Sequence, residues 1–117
     1  MNTRLLRLYF KVKGIGRSFA RIQCYQSSYS TGLSAYFDLA AAALDSNYAY
    51  GSVLSGQQGF AYQLEDGWVK VGVKFTSAFD GPIEIRIQAA SADGTDSYTG
   101  DPAKGLFVWD AALRDLT

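Results

Sequence analysis

Histidine is absent from all 117 residues, and cysteine occurs once, at Cys24. Ser/His and Cys/His catalysis therefore lack their base, common zinc sites lack a ligand set, and no intrachain disulfide can form. Glutamate occurs only at Glu65 and Glu84. A glycosidase needs two carboxylates facing each other across a cleft. Glu65 falls at a hairpin tip and Glu84 on the outer face of a strand, so both read as solvated surface charges. Net charge is missing as well, because 11 basic and 11 acidic residues cancel. No long-range field then favours nucleic acid or an anionic membrane, and neither is expected as a partner. Arg4, Arg7 and Lys11 interrupt the apolar residues of the N-terminal stretch. Neither a secretory signal nor a membrane span is expected there, and the chain is expected to be made in a cytoplasm. From these absences a non-enzyme without a cofactor is expected.

What is present is period-two alternation. A hydrophobic fraction of 48% in 117 residues supports one globular domain, 1–117, and not two. Leu6, Leu8, Phe10 and Val12 share one parity, with Arg7, Lys11 and Lys13 on the other, the pattern of a half-buried strand. Gly14-Ile15-Gly16 breaks it, and Ala20, Ile22 and Cys24 resume it opposite Arg21 and Gln23, so these two strands are expected to pair as a hairpin. Leu33, Ala35, Phe37 and Leu39 form the next inward stripe, with Tyr36 outward. Ala40 to Leu44 allows at most one helical turn, and Tyr48 to Gly59 is weakly patterned. Asp66-Gly67 predicts a tight turn between strands at Phe60–Leu64 and Trp68–Thr76. Ile83, Ile85 and Ile87 form another stripe, and a polar loop over 91–104 leads to a final strand over 105–113. The expectation is an all-β, antiparallel two-sheet β-sandwich of about seven strands with no substantial helix. Its expected core comprises Leu8, Phe10, Ile22, Phe37, Val71, Phe75, Ile85, Ile87 and Trp109, with Phe107 sharing the parity of Trp109. Cys24 reads as a small buried hydrophobe.

Several of these segments carry a family likeness. Leu8-Tyr9-Phe10-Lys11-Val12-Lys13, Tyr36-Phe37-Asp38-Leu39-Ala40, the hairpin Leu64-Glu65-Asp66-Gly67-Trp68-Val69-Lys70 and the closing run from Tyr98 to Leu113 occur in that order. Together they resemble the concanavalin A-like jelly-roll modules of bacteriophage virion proteins. The resemblance implies a virion location and a structural role in tail fibres, head spikes or capsid decoration. It implies partners among copies of the chain (a homo-oligomer, with a trimer favoured) and other virion proteins such as the major capsid protein. Capsid decoration or cementing is the leading expectation, and a receptor- or glycan-binding tip module is the alternative. Modules of this kind usually carry a further strand before the first one seen here, so either a smaller sandwich or an open N-terminal edge is expected, the edge blocked by Arg4, Arg7, Lys11 and Lys13 or paired with a partner chain.

Outward parity supplies the candidate surface residues. A glycan partner would meet Tyr36, Trp68, Lys70 and Arg86, rings for stacking and cations for hydroxyls; packing of Trp68 over a sheet edge and of Tyr36 in an interface is the competing reading. Leu5, Arg7 and Tyr9 on the outer face of the first strand are the candidate assembly interface, since an apolar pair between cations is easier to explain if a neighbour covers it. No metal is expected. A calcium reading takes Asp93, Asp96 and Asp101 in the long loop, and ordinary turn chemistry accounts for the same residues.

Overall fold

The structure, a computed structural model, describes residues 4–16, 18–26, 31–51, 54–78, 83–90 and 105–116. Eight strands are formed: β1 (Arg4–Ile15), β2 (Phe19–Gln26), β3 (Thr31–Asp38), β4 (Ala43–Tyr50), β5 (Leu54–Gln63), β6 (Val69–Ser77), β7 (Glu84–Ala90) and β8 (Gly105–Asp115). They build two four-stranded sheets in the orders β5-β6-β1-β8 and β4-β3-β2-β7, and every pairing in them is antiparallel. The protein is a two-sheet antiparallel β-sandwich, without an α-helix among the described residues. The strand beyond the expected seven is β4, which starts within the Ala40–Leu44 run and ends at Tyr50, just inside the stretch with little pattern. A turn follows Asp38, whose Oδ1 accepts from the amides of Ala40 and Ala41 at 3.0 and 3.2 Å, and Ala42 has φ 51°. That geometry sends the alanines back along β3 in place of a helix.

The inward stripes meet as their alternation requires. Leu6, Leu8, Phe10 and Val12 of β1 and Val69, Val71, Val73 and Phe75 of β6 face Ala20, Ile22 and Cys24 of β2 and Leu33, Ala35 and Phe37 of β3 in one core. The expected hairpin between the first two strands is not formed. β1 and β2 lie in different sheets, so Gly14-Ile15-Gly16 carries the chain across the sandwich, with Gly16 at φ 66°. Nor is β1 an edge. It lies between β6 and β8, so the N-terminal edge expected to be open is already paired on both sides. Among the described residues the edge strands are β5 and β8 in the first sheet and β4 and β7 in the second.

Trp109 and Phe107 depart most from the expected core. They are 63% and 55% exposed. Trp109 pairs with Lys11 and Phe107 with Lys13, and cross-strand partners share a face, so both rings lie outside. A bulge follows at once: Tyr9 pairs with Ala112, so Asp110 and Ala111 together oppose Phe10, and Asp110 takes φ 55°. The extra residue inverts the parity of the strand, and Leu113 reaches the inner face opposite Leu8 while Trp109 does not. Ile85 and Ile87 are only half-buried, because β7 and β8 are edge strands at the same flank and, among the described residues, leave it incompletely closed. There a cleft of about 340 Å³ is lined by Leu8, Phe10, Ile85, Ile87, Ala111, Ala112 and Leu113.

Candidate functional site

The outer face of the β5-β6-β1-β8 sheet carries most of the unusual surface chemistry. It begins at the β5–β6 hairpin, where Asp66 (φ 59°) and Gly67 (φ 79°) take the left-handed turn that Asp-Gly predicts. The Trp68 amide donates to the Glu65 carbonyl at 3.1 Å, and the Leu64 amide to the Trp68 carbonyl at 2.8 Å. The Gln63 side-chain amide donates to the carbonyls of Leu64 and Trp68, at 3.1 and 3.2 Å, and ties the tip down. So held, Trp68 reaches across β1 to Trp109, the two rings meeting edge to face at 6.4 Å and 64°. Lys11 lies beneath, its Nζ 4.8 Å from the Trp109 ring centre and 2.9 Å from Asp110 Oδ2. The result is a cleft of about 720 Å³ lined by Lys11, Gln63, Leu64, Glu65, Asp66, Trp68 and Trp109.

Further along β1 the same chemistry repeats. Arg7 stacks over Phe60 (4.9 Å) and Tyr9 (6.0 Å), and Lys70 over the Tyr9 ring at 4.2 Å. A second recess of about 310 Å³ is lined by Arg7, Gln58, Gly59, Phe60, Tyr62, Lys74 and Leu116. Each cation over a ring is worth about 0.5–1 kcal/mol at an exposed site, so the pattern organises the face more than it stabilises the fold.

The four residues expected to meet a glycan do not converge. Trp68 and Lys70 lie on this face, whereas Tyr36 and Arg86 belong to the other sheet. Arg86 stacks on Tyr25 at 5.1 Å and pairs with Glu84 at 3.5 Å. Tyr36 is outward by parity yet buried, 5.6 Å from the Arg21 guanidinium. Arg21 is itself 6% exposed; it donates to Ser34 Oγ at 2.9 and 3.3 Å, to Gln88 Oε1 at 3.1 Å and to Tyr48 Oη at 3.1 Å. Burial of a guanidinium is tolerable because its donors are satisfied, and that network removes Tyr36 as a stacking platform. Leu5, Arg7 and Tyr9, the assembly candidates, are half-buried among their own neighbours on an interior strand. The calcium candidates Asp93, Asp96 and Asp101 lie outside the described residues. Among the described residues no cluster of three metal-ligating side chains occurs.

Alternation alone misses Trp109, Lys11 and Gln63 as cleft residues. Aspartate tolerates a left-handed backbone better than most residues, so Asp110 after Trp109 is the one sequence signal of the bulge. Cys24 is fully buried, and burial pushes its thiol from the ordinary 9.0 up to about 12. The folded chain thus keeps a proton that the unfolded chain releases above about pH 9, and this thiol's contribution to stability is lost as pH rises from there towards 12. Iodoacetamide at pH 8 should label Cys24 only after denaturant is added; fast labelling of the native protein would show that the thiol is accessible.

A scan against protein-family models matches none, and no curated protein matches the chain. The chemistry of the surface rests on its own geometry.

Proposed function

We propose that this chain is a non-enzymatic structural module of a bacteriophage particle, a small β-sandwich that decorates or cements the particle surface. The resemblance of its strands motivates the setting, and the flank between β7 and β8, left open among the described residues, carries the argument for docking. Val108 and Leu113 have inward register on β8 yet remain 43% and 49% exposed, and Leu113 shares a cleft with the half-buried Ile85 and Ile87. Contiguous apolar surface of this kind is what a neighbour covers. The two glutamates support the non-catalytic reading, since Glu65 lies at the hairpin tip of one sheet and Glu84 on the second sheet.

Homo-oligomerisation through this flank is favoured over a twofold contact of the Leu5–Arg7–Tyr9 face. Self-contact there would bring Arg7, Lys74 and Arg114 against their own copies. A specific interface buries at least about 1,000 Å². Light scattering of the protein alone and co-sedimentation with purified particles test the reading: Leu113→Asp should abolish association while the far-ultraviolet spectrum is retained. Unchanged association in Leu113→Asp and Val108→Asp would overturn it.

The tryptophan cleft favours a second reading, a receptor- or glycan-binding tip module. An exposed indole beside Gln63, Glu65 and Asp66 offers a sugar a stacking face and acceptors for its hydroxyls.

A further inference from the structure

We infer that the outer face of the β5-β6-β1-β8 sheet binds an acidic polysaccharide, its neutral sugars seated in the tryptophan cleft and its acidic groups on a row of cations beside it. The inference rests on the glycan reading of that cleft and names the class of glycan.

The register places like charges directly opposite one another, an arrangement that destabilises a sheet. Arg7 faces Lys74 on one side and Arg114 on the other, and Lys11 faces Lys70. With Lys13 these are six of the chain's 11 basic residues on one face of a molecule whose total charge is zero. Asp110, on the same face, pairs with Lys11. Among the described residues no carboxylate pairs with Arg7, Lys74 or Arg114. A row of three cations across three strands, without an acidic counterpart among the described residues, is complementary to an anion from outside.

The arrangement also has a repeat. Arg7 and Lys11 are four residues apart on one strand, about 13 Å, and each lines a recess with aromatic walls, about 310 and 720 Å³ in volume. Two such recesses along one strand suit a linear polymer. Their chemistries differ in a way that selects its class. The larger cleft carries Glu65, Asp66 and Gln63, which accept from hydroxyls, and its carboxylates repel phosphates or other carboxylates. The smaller recess carries Arg7 and Lys74, which attract them. A nucleic acid strand or an acidic peptide would bring anionic groups to both. A polysaccharide in which neutral and acidic sugars alternate satisfies both, and Trp109 keeps an exposed ring for stacking a pyranose.

The test measures binding of the full chain to hyaluronan, in which uronate and neutral sugars alternate, beside dextran and single-stranded oligothymidylate. Hyaluronan should bind, more weakly as salt is raised. The double variant Lys74→Gln/Arg114→Gln and the single variant Trp109→Ala should each weaken it at least about tenfold, with melting temperatures near that of the parent. Arg86→Gln, on the other sheet, should leave binding unchanged. Dextran binding as tight as hyaluronan, with no effect of the double variant, would overturn the acidic preference and leave the glycan reading standing. Failure of both polysaccharides would remove the glycan reading itself. Tighter binding of oligothymidylate through the same cations would show the face to be a nucleic-acid surface.

Discussion

Phe75→Ala should cost about 3–5 kcal/mol, whereas Phe107→Ala should cost less than about 0.5 kcal/mol. Phe75 is fully buried in the core cluster and pairs with Leu6 across β1 and β6. Truncation removes the transfer free energy of the ring and leaves a cavity that the two packed sheets can only partly collapse. Domains of this size are stable by about 5–15 kcal/mol, so the loss is a large share of the total. The melting temperature should fall by about 10–20 °C. Phe107 is the same residue type on a strand with the same kind of alternation, yet it is 55% exposed. The pair therefore separates strand parity from actual register. Equal losses at both positions, measured by thermal or urea unfolding, would mean that the bulge at Asp110 does not place Phe107 outside.

Gly72→Val should be comparably damaging, at about 3 kcal/mol or more. Gly72 lies on β6 between Tyr9 of β1 and Phe60 of β5, and the Phe60 ring lies across it. A Cβ placed there would sit 2.2 Å from Phe60 Cζ and 2.5 Å from the Leu8 carbonyl oxygen. The ring can swing away, but the carbonyl belongs to the paired backbone and cannot. Phe60→Ala combined with Gly72→Val should therefore recover only part of the loss. Gly105→Ala is the contrasting substitution, since a methyl group on its Cα would meet nothing within 4 Å. It should be neutral or stabilise by up to about 1 kcal/mol, because alanine restricts the unfolded chain. A wild-type urea midpoint for Gly72→Val would show that β1 and β6 separate to admit a side chain.

Gly72 also explains how the outer face is organised. A residue without a side chain at that position lets Phe60 lie flat on the sheet, and Arg7 then stacks over Phe60. The second recess thus depends on a glycine that alternation alone reads as an ordinary outward position between Lys70 and Lys74. Trp109 shows the same limit on β8. Its environment follows from pairing with Lys11 and from the bulge after it, neither of which is a property of residues 105–113 taken alone.

The all-β class, the core stripes of β1, β2, β3 and β6, and the Asp66-Gly67 turn were legible in the sequence. They depend on interactions between residues a few positions apart: alternation sorts side chains to two faces, and Asp-Gly tolerates positive φ. The absence of histidine and the two isolated glutamates were legible for a simpler reason, since composition limits chemistry whatever the fold. Only the tertiary structure decided that β1 and β2 lie in different sheets, that β1 is flanked on both sides, and that Arg21 and Tyr36 are buried on an outward face. It also decided that Trp68 meets Trp109 and that Arg7, Lys74 and Arg114 form one row. Strand pairing joins residues tens of positions apart, and many pairings bury the same stripes equally well. One extra residue in a strand then exchanges its two faces without altering its composition.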